Sequence, residues 1–577
     1  MERDSETDAQ WSVQTGGPAG RFLQIVVRKQ GNVSWHPQVT CRGFGVRKGR
    51  AYTLVFRGRS DRPRPIRVNV MMAHAPWKNL GFSAQVKLDS EWKEHRCTFV
   101  SNHDDGNARI TFTGLTPGTY ELAGVSLRPG GVVGLEDDER LEEDSVRVVA
   151  WSQRGVTEAR RKDFVDFLYE TEQKYWWGMY RYLKDELGVR SLVCGTQLSY
   201  SPVHIQAKLD FIDAHSYWKH PVFPGRPWDS TNWYVENTAL VNSPGGTLAS
   251  LAVRRVGGLP FTVSEYNHPA PNDYAAEGFP MLAAMAAFQD WDGIYSFTYS
   301  HNSNFEPGKI TGYFDINSHP TKMVHIIACA ALFLRGDIAP GRKVLSVPLP
   351  LQKERQILYE TGNPRSLTAA KLGLDPRLSL RHRVQMVLDG SADSSASPRW
   401  PSLPEDAQRF LSDTGQIVWD VSQDSAGYFL VNSPRTRLFT GFIQGRRFEL
   451  GDVKLAIGRT RLDWATVSLV CLDGAGFSRP GRILIAATGW SENTGARREQ
   501  LGRHRVTLRR NWGRAPSLCE GIPAEIELPV PANRVRCYAL DQSGRRRSPV
   551  SCTDRNGHAI LHLTPAARTL WYEAVIR

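Results

Sequence analysis

The chain has 577 residues, 41% hydrophobic and 23% charged, which suits several globular domains of ordinary composition. Its net charge of +13 is dispersed, with only short clusters such as Arg509-Arg510, so a solvated surface is expected and a nucleic-acid partner is not. No apolar run reaches the length of a membrane span, and the eight scattered cysteines lack a CxxC pair, so no membrane, metal or cofactor is expected. The start, Met1-Glu-Arg-Asp-Ser-Glu-Thr-Asp, is polar and acidic, unlike a signal peptide. As written, the chain reads as cytoplasmic; a true start lying upstream would make it secreted or periplasmic.

Residues 1–130 read as a β-sandwich or jelly roll. Alternating apolar and polar residues predict strands at Phe22–Arg28, Ser34–Cys41, Ala51–Phe56, Ile66–Met72, Ser83–Leu88, Trp92–Val100, Ala108–Phe112 and Tyr120–Leu127, with no helix among them. Trp35, His36, Gln38 and Trp77 are the ligand candidates here. An indole in a loop beside Pro76 can stack on a sugar ring, and an amide can bond its hydroxyls. Gly130-Gly131 leads into residues 131–150, whose acidic run has the composition of a solvated linker.

Residues 151–340 alternate helix and strand, the sign of a parallel α/β layer. A helix over about 164–187 is followed by short buried strands at Ser191–Gly195 and Leu209–Trp218 and a helix at Thr247–Val256. Next come a strand ending at Glu265, a small-residue helix at Ala275–Gln289, a strand at Gly293–His301 and a helix capped by Ser318. The run Pro260-Phe-Thr-Val-Ser-Glu265 organises this region, because an apolar strand that stops at a carboxylate presents it at the strand's carboxyl end. Neighbouring strand ends offer Thr196 and Gln197, then His215, Tyr217, Trp218 and His220, then Tyr299 and His301. Trp228 and Trp291 are candidate walls of a ligand subsite. Residues 341–404 connect, with Ser391–Pro404 a linker by composition. Residues 405–577 return to short strands and predict a C-terminal β-sandwich.

Two stretches resemble known families. The runs Gly49-Arg-Ala-Tyr-Thr-Leu-Val-Phe-Arg-Gly, Trp92-Lys-Glu-His-Arg-Cys-Thr-Phe, Ala108-Arg-Ile-Thr-Phe and Leu122-Ala-Gly-Val-Ser-Leu resemble carbohydrate-binding modules attached to cellulases. The runs Asp213-Ala-His-Ser-Tyr-Trp, Ser264-Glu-Tyr-Asn-His and Gln289-Asp-Trp-Asp-Gly-Ile-Tyr-Ser-Phe resemble the second half of a retaining (β/α)8 glycoside hydrolase of the cellulase and β-galactosidase superfamily. That resemblance implies a partial TIM barrel, strands 5–8, with Glu265 as nucleophile and His215 or Tyr217 orienting it. The partner it implies is a β-linked polysaccharide or oligosaccharide.

The departure is the acid/base. Those enzymes carry an Asn-Glu pair after strand 4, and no apolar strand before residue 190 ends that way. A full barrel needs about 250 residues. Retaining hydrolysis needs two carboxyl groups about 5–5.5 Å apart, and Asp213, Asp229, Glu236 and Asp292 are the stand-ins nearest to hand. One reading is a hydrolase whose first half barrel is missing; the other is a non-catalytic carbohydrate-binding protein with a degenerate barrel. Either leaves open strand edges, so a homodimer, or pairing with the missing N-terminal half barrel, is expected.

Overall fold

The computed structural model describes every residue except 132, 134, 137, 140–142, 152, 154, 155, 389–399 and 475. Parts of both expected linkers therefore lie outside the described residues. The chain divides into two compact units, Met1–Phe164 and Val165–Arg577. Taken as a whole it is mostly β, built of stacked antiparallel sheets with a smaller parallel layer in the second unit.

The first unit is a two-sheet sandwich. Its strands are β1 (Asp8–Thr15), β2 (Arg21–Lys29), β3 (Val39–Val46), β4 (Ala51–Ser60), β5 (Arg64–Met72), β6 (Asn79–Leu88), β7 (Lys93–Val100), β8 (Asp105–Thr113) and β9 (Gly118–Pro129). One sheet runs β1-β2-β9-β4-β7 and the other β3-β8-β5-β6. Side chains alternate across each pleat. Leu54 and Phe56 of β4 and Ile66, Val68 and Val70 of β5 turn inward and are buried with Ile110 and Phe112 of β8. Nine strands form rather than eight. Residues 34–38 are loop, so Trp35 and Gln38 sit ahead of β3 rather than on it.

Most of the long helix Glu158–Arg181 belongs to the second unit. Three parallel strands follow, Ile212–Tyr217, Phe261–Asn267 and Gly293–Ser296, hydrogen-bonded in that order. The buried helix Gly278–Gln289 packs among them. Three expectations are corrected. Ser191–Gly195 joins no ladder among the described residues; it is tied instead through Val193 and its flank to Asp210 and Asp213. The strand from Gly293 ends at Ser296, well before Tyr299 and His301. The helix near Ser318 starts at Pro320 with His319 at its cap position, without a side-chain cap.

Residues 341–404, unreadable in sequence, hold a parallel pair, Val344–Leu349 and Arg383–Leu388, with the helix Leu351–Thr361 between them. A single parallel bridge, Val256 to Met386, ties this pair to the foot of the layer. The parallel ladders among the described residues are thus one three-stranded and one two-stranded sheet, and they do not close into a barrel.

From Arg409 onward a nine-stranded sheet faces a five-stranded one over a core that includes Phe439, Leu455, Ile485, Ile526 and Leu561. This sandwich is bonded into the parallel layer. Trp419 donates its indole N–H to the Val241 carbonyl at 2.7 Å, and His325 is held between the Ser468 and Thr488 hydroxyls at 3.0 and 2.8 Å. No helix among the described residues is long and apolar enough to cross a membrane.

Candidate functional sites

Each unit carries a large cleft. In the first, the outward faces of β3, β8, β5 and β6 make the floor. Because their inward neighbours are core, Arg67, Asn69 and Met71 of β5 must point out, and the ladder sets polar partners beside them. Arg67 stands between Gln85 and Thr113, Asn69 between Ser83 and Thr111, and Met71 beside Arg109, which faces Arg42. The Ser83 hydroxyl donates to Asn69 at 2.7 Å, and the Asn69 amide donates to Thr111 at 3.2 Å, which fixes these groups along the floor.

Trp35 and Trp77 line the same cleft, 53% and 49% exposed, on loops that no strand ladder covers. The Arg109 guanidinium lies 4.9 Å from the centre of the Trp77 ring. Gln38 lines the cleft as well and donates to Glu2 at 2.8 Å. The cleft encloses about 1160 Å³. The four module residues singled out in sequence, Trp35, His36, Gln38 and Trp77, thus line one cleft. Arg42, Arg67, Asn69, Gln85 and Arg109 were missed, because outward strand positions read as solvated surface until register aligns them.

The second cleft, about 1030 Å³, opens where the parallel strands end. His215 and Glu265 are ladder partners, with an irregularity before His215 that shifts the register. Both reach the same end of the layer. The Tyr217 hydroxyl donates to Glu265, and His215 Nδ1 lies 3.2 Å from the same carboxylate. The other face of that imidazole lies 2.7 Å from Ser264 Oγ and 3.1 Å from Asp213. Asp213 in turn accepts from Thr262 Oγ1 at 2.6 Å and from the Ser264 amide and hydroxyl.

Burial pushes the Asp213 carboxyl up, but its bonds from His215, Thr262 and Ser264 outweigh that and hold it ionised below the usual range. Burial and the neighbouring Glu265 carboxylate raise the Tyr217 hydroxyl, which keeps it a donor. A carboxylate steadied by a phenol and an imidazole, 30% exposed in a cleft, suits attack on an electrophilic carbon or the grip of a sugar hydroxyl.

The remaining candidates separate. Gln197, His220, Trp228 and His301 line this cleft with Tyr200, Arg254, Tyr313, Phe314, Asp315 and Arg365, which sequence reading missed. Trp218 and Trp291 are core instead. The first is 7% exposed with its N–H on the Thr238 carbonyl; the second is 5% exposed and edge-on to Phe261. Tyr299 is half-exposed against Phe305 and lies off the cleft.

The stand-in carboxylates are engaged elsewhere. Asp213 sits behind His215. Asp292 accepts from the Phe261 amide at 2.8 Å, at the far end of that strand. Asp229 holds Thr231, and Glu236 pairs with Lys219 at 2.8 Å. Apart from Glu265, the carboxylate that lines the cleft among the described residues is Asp315. It is 4% exposed and bonded by His301 and Thr311. Among the described residues no group of three or more His, Cys, Asp or Glu side chains is placed to hold a metal ion.

No family model and no curated protein matches the chain. Some solved structures are similar to part of the chain. A CBM4 module is 29% identical over 22% of this chain and 81% of its own, with a TM-score of 0.20. The N-terminal cellulose-binding domain of Cellulomonas fimi β-1,4-glucanase C is 21% identical over 19% and 80%, with a TM-score of 0.17. A family 11 carbohydrate-binding module from Clostridium thermocellum, in complex with a β-1,3-1,4-mixed-linked tetrasaccharide, is 9% identical over 22% and 84%, again at 0.17. These likenesses are local, and the functional reading of the clefts rests on their own residues.

Proposed function

We propose that this protein binds polysaccharide through the cleft of its first unit, and that it does so without needing catalysis. The observation that carries this reading is the pairing of two half-exposed indoles, Trp35 and Trp77, with ordered rows of polar side chains on the floor between the strands. Indoles stack on the apolar faces of pyranose rings, while amides, hydroxyls and guanidiniums bond the ring hydroxyls. The test is equilibrium binding of the full-length protein to a panel of soluble glycans, with a Trp35→Ala/Trp77→Ala double variant as control. Indifference of the parent to every glycan refutes the reading.

A second reading is supported by the contacts of Glu265. In it, the parallel layer is the second half of a (β/α)8 barrel and Glu265 is the nucleophile of a retaining glycoside hydrolase, oriented by Tyr217 and His215. Its acid/base would come from a missing half barrel or a partner chain. An activated fluoro-sugar needs little acid assistance, so it should label Glu265, and Glu265→Gln should abolish the label. A label on another carboxylate refutes Glu265 as the nucleophile, and no label at all while glycan binding persists leaves the non-catalytic reading alone.

A further inference from the structure

We infer that the glycan taken by this protein is acidic, and that arginines in both clefts read the carboxylate of a uronic acid residue. This rests on the carbohydrate-binding reading above and narrows its ligand class.

The first cleft is cationic. Arg42, Arg67 and Arg109 line it, and Glu2 is its one carboxylate among the described residues. Neutral sugars ask only for donors and acceptors without net charge, which Asn69, Ser83, Thr111 and Gln85 already supply. Three guanidiniums gathered on one floor repel one another unless an anion joins them. Arg109 is 7% exposed, yet its Nε has no hydrogen-bond partner.

Glu2 indicates which anion fits. Its carboxylate pairs with Arg42 and takes both oxygens to Arg109 Nη1, at 3.3 and 3.4 Å. A planar carboxylate against a guanidinium is the geometry arginine favours. Arg67, exposed in the middle row, forms no ion pair among the described residues and is free to meet a second carboxylate.

The second cleft repeats the pattern independently. Arg254 and Arg365 both line it, burial and then the nearby Arg365 lower Arg254, and neither forms an ion pair with a carboxylate among the described residues. Arg254 donates to Ser199 at 2.9 Å, and Arg365 lies 4.6 Å from the centre of the Tyr200 ring. Glu265 and Asp315 are the anions of that cleft, and an added uronate would be held by its arginine pair.

The experiment compares polygalacturonate and alginate with neutral β-glucan, xylan and a sulfated dextran, by calorimetry on the full-length protein. A polyuronate should bind at least about tenfold more tightly than a neutral glycan of equal length, the scale of one charge-assisted bond. That advantage should shrink as salt is raised. Arg67→Gln should remove most of it, weakening polyuronate binding several-fold more than neutral binding. Glu2→Gln, which deletes the competing carboxylate, should tighten polyuronate binding. In the Trp35→Ala/Trp77→Ala background, binding that remains should fall with Arg365→Gln. Equal, salt-indifferent affinity for neutral glycans overturns the inference while sparing the carbohydrate-binding reading. Preference for the sulfated polymer overturns the carboxylate assignment, and silence toward every polymer overturns both.

Discussion

Lys322 provides a sharp test of the second unit's interior. It is 1% exposed, and its ammonium donates to Asn267 Oδ1 at 2.6 Å, two residues beyond Glu265 on the same strand. Burial lowers it from 10.5 to about 7, with Asp315 opposing weakly, while His268 and His319 nearby are kept neutral by their own burial. The folded pKa lies below the unfolded one. Between pH 7 and 10.5 the unfolded chain therefore holds a proton that the folded chain lacks, and this group's contribution to stability rises with pH across that window. At about 1.4 kcal/mol per unit, the full swing approaches roughly 5 kcal/mol as an upper limit. Lys322→Met conserves length and removes the charge, but strands Asn267 Oδ1 at a cost of about 1–3 kcal/mol. The variant should thus be more stable than the parent at pH 7 by up to a few kcal/mol, and less stable near pH 10.5. Denaturant unfolding of both proteins at matched pH values isolates the effect, because every other titration cancels in the difference. A stability difference that stays flat from pH 7 to 10.5 refutes the reasoning and means that Lys322 is charged and well paired when folded.

Three further outcomes are expected. Trp77→Ala should weaken glycan binding by about 0.5–1.5 kcal/mol, roughly two- to tenfold, in titration calorimetry of the full chain. Tyr217→Phe removes the phenol donor from Glu265 and should slow labelling by an activated fluoro-sugar about ten- to a hundredfold, read by intact-mass spectrometry. Glu277 is fully buried, and burial raises it to about 8 against the pull of the Leu240 and Val241 amides. Its folded pKa exceeds its unfolded one, so its contribution should be lost as pH climbs from 4.5 to 8. Glu277→Gln should gain stability relative to the parent across that window, measured by denaturant midpoints.

What could be read from sequence followed from where each residue's partners lie. Ala51–Ser60 alternates without a break and buries every second side chain, so its pattern is local and legible. β1 was invisible because it is an edge strand: of Asp8–Thr15 only Ala9 is buried, while Trp11 and Val13 face out. Val344–Leu349 contains Pro348, which reads as a break, yet this strand pairs on one side only among the described residues, and there the missing N–H is tolerated. The clefts show the same division. Glu265 could be singled out because one strand carries the whole signal. Arg42, Arg67 and Arg109 sit on three different strands, and only pairing register makes them neighbours. Trp218 and Trp291 failed for the opposite reason, since composition reveals an indole but not which side of a strand's end it takes.

The use of each carboxylate separates binding from hydrolysis. Asp213 is committed to His215, Asp292 to the far end of the strand, Glu236 to Lys219 and Asp315 to His301 and Thr311. None of them is free to protonate a leaving oxygen beside Glu265. If Glu265 is a nucleophile, this chain alone should therefore open a dinitrophenyl glycoside, whose leaving group needs no proton, and then stall as a glycosyl-enzyme for want of a base to activate water. Azide is an anion that attacks without a base. Its addition should release the stalled sugar as a glycosyl azide with the configuration of the substrate retained, and speed turnover in proportion to its concentration. Hydrolysis of an unactivated polysaccharide by the purified chain, with a bell-shaped pH profile, would show that a second carboxylate does serve Glu265. The bonds that hold Asp213 and Asp315 would then have to loosen when substrate enters.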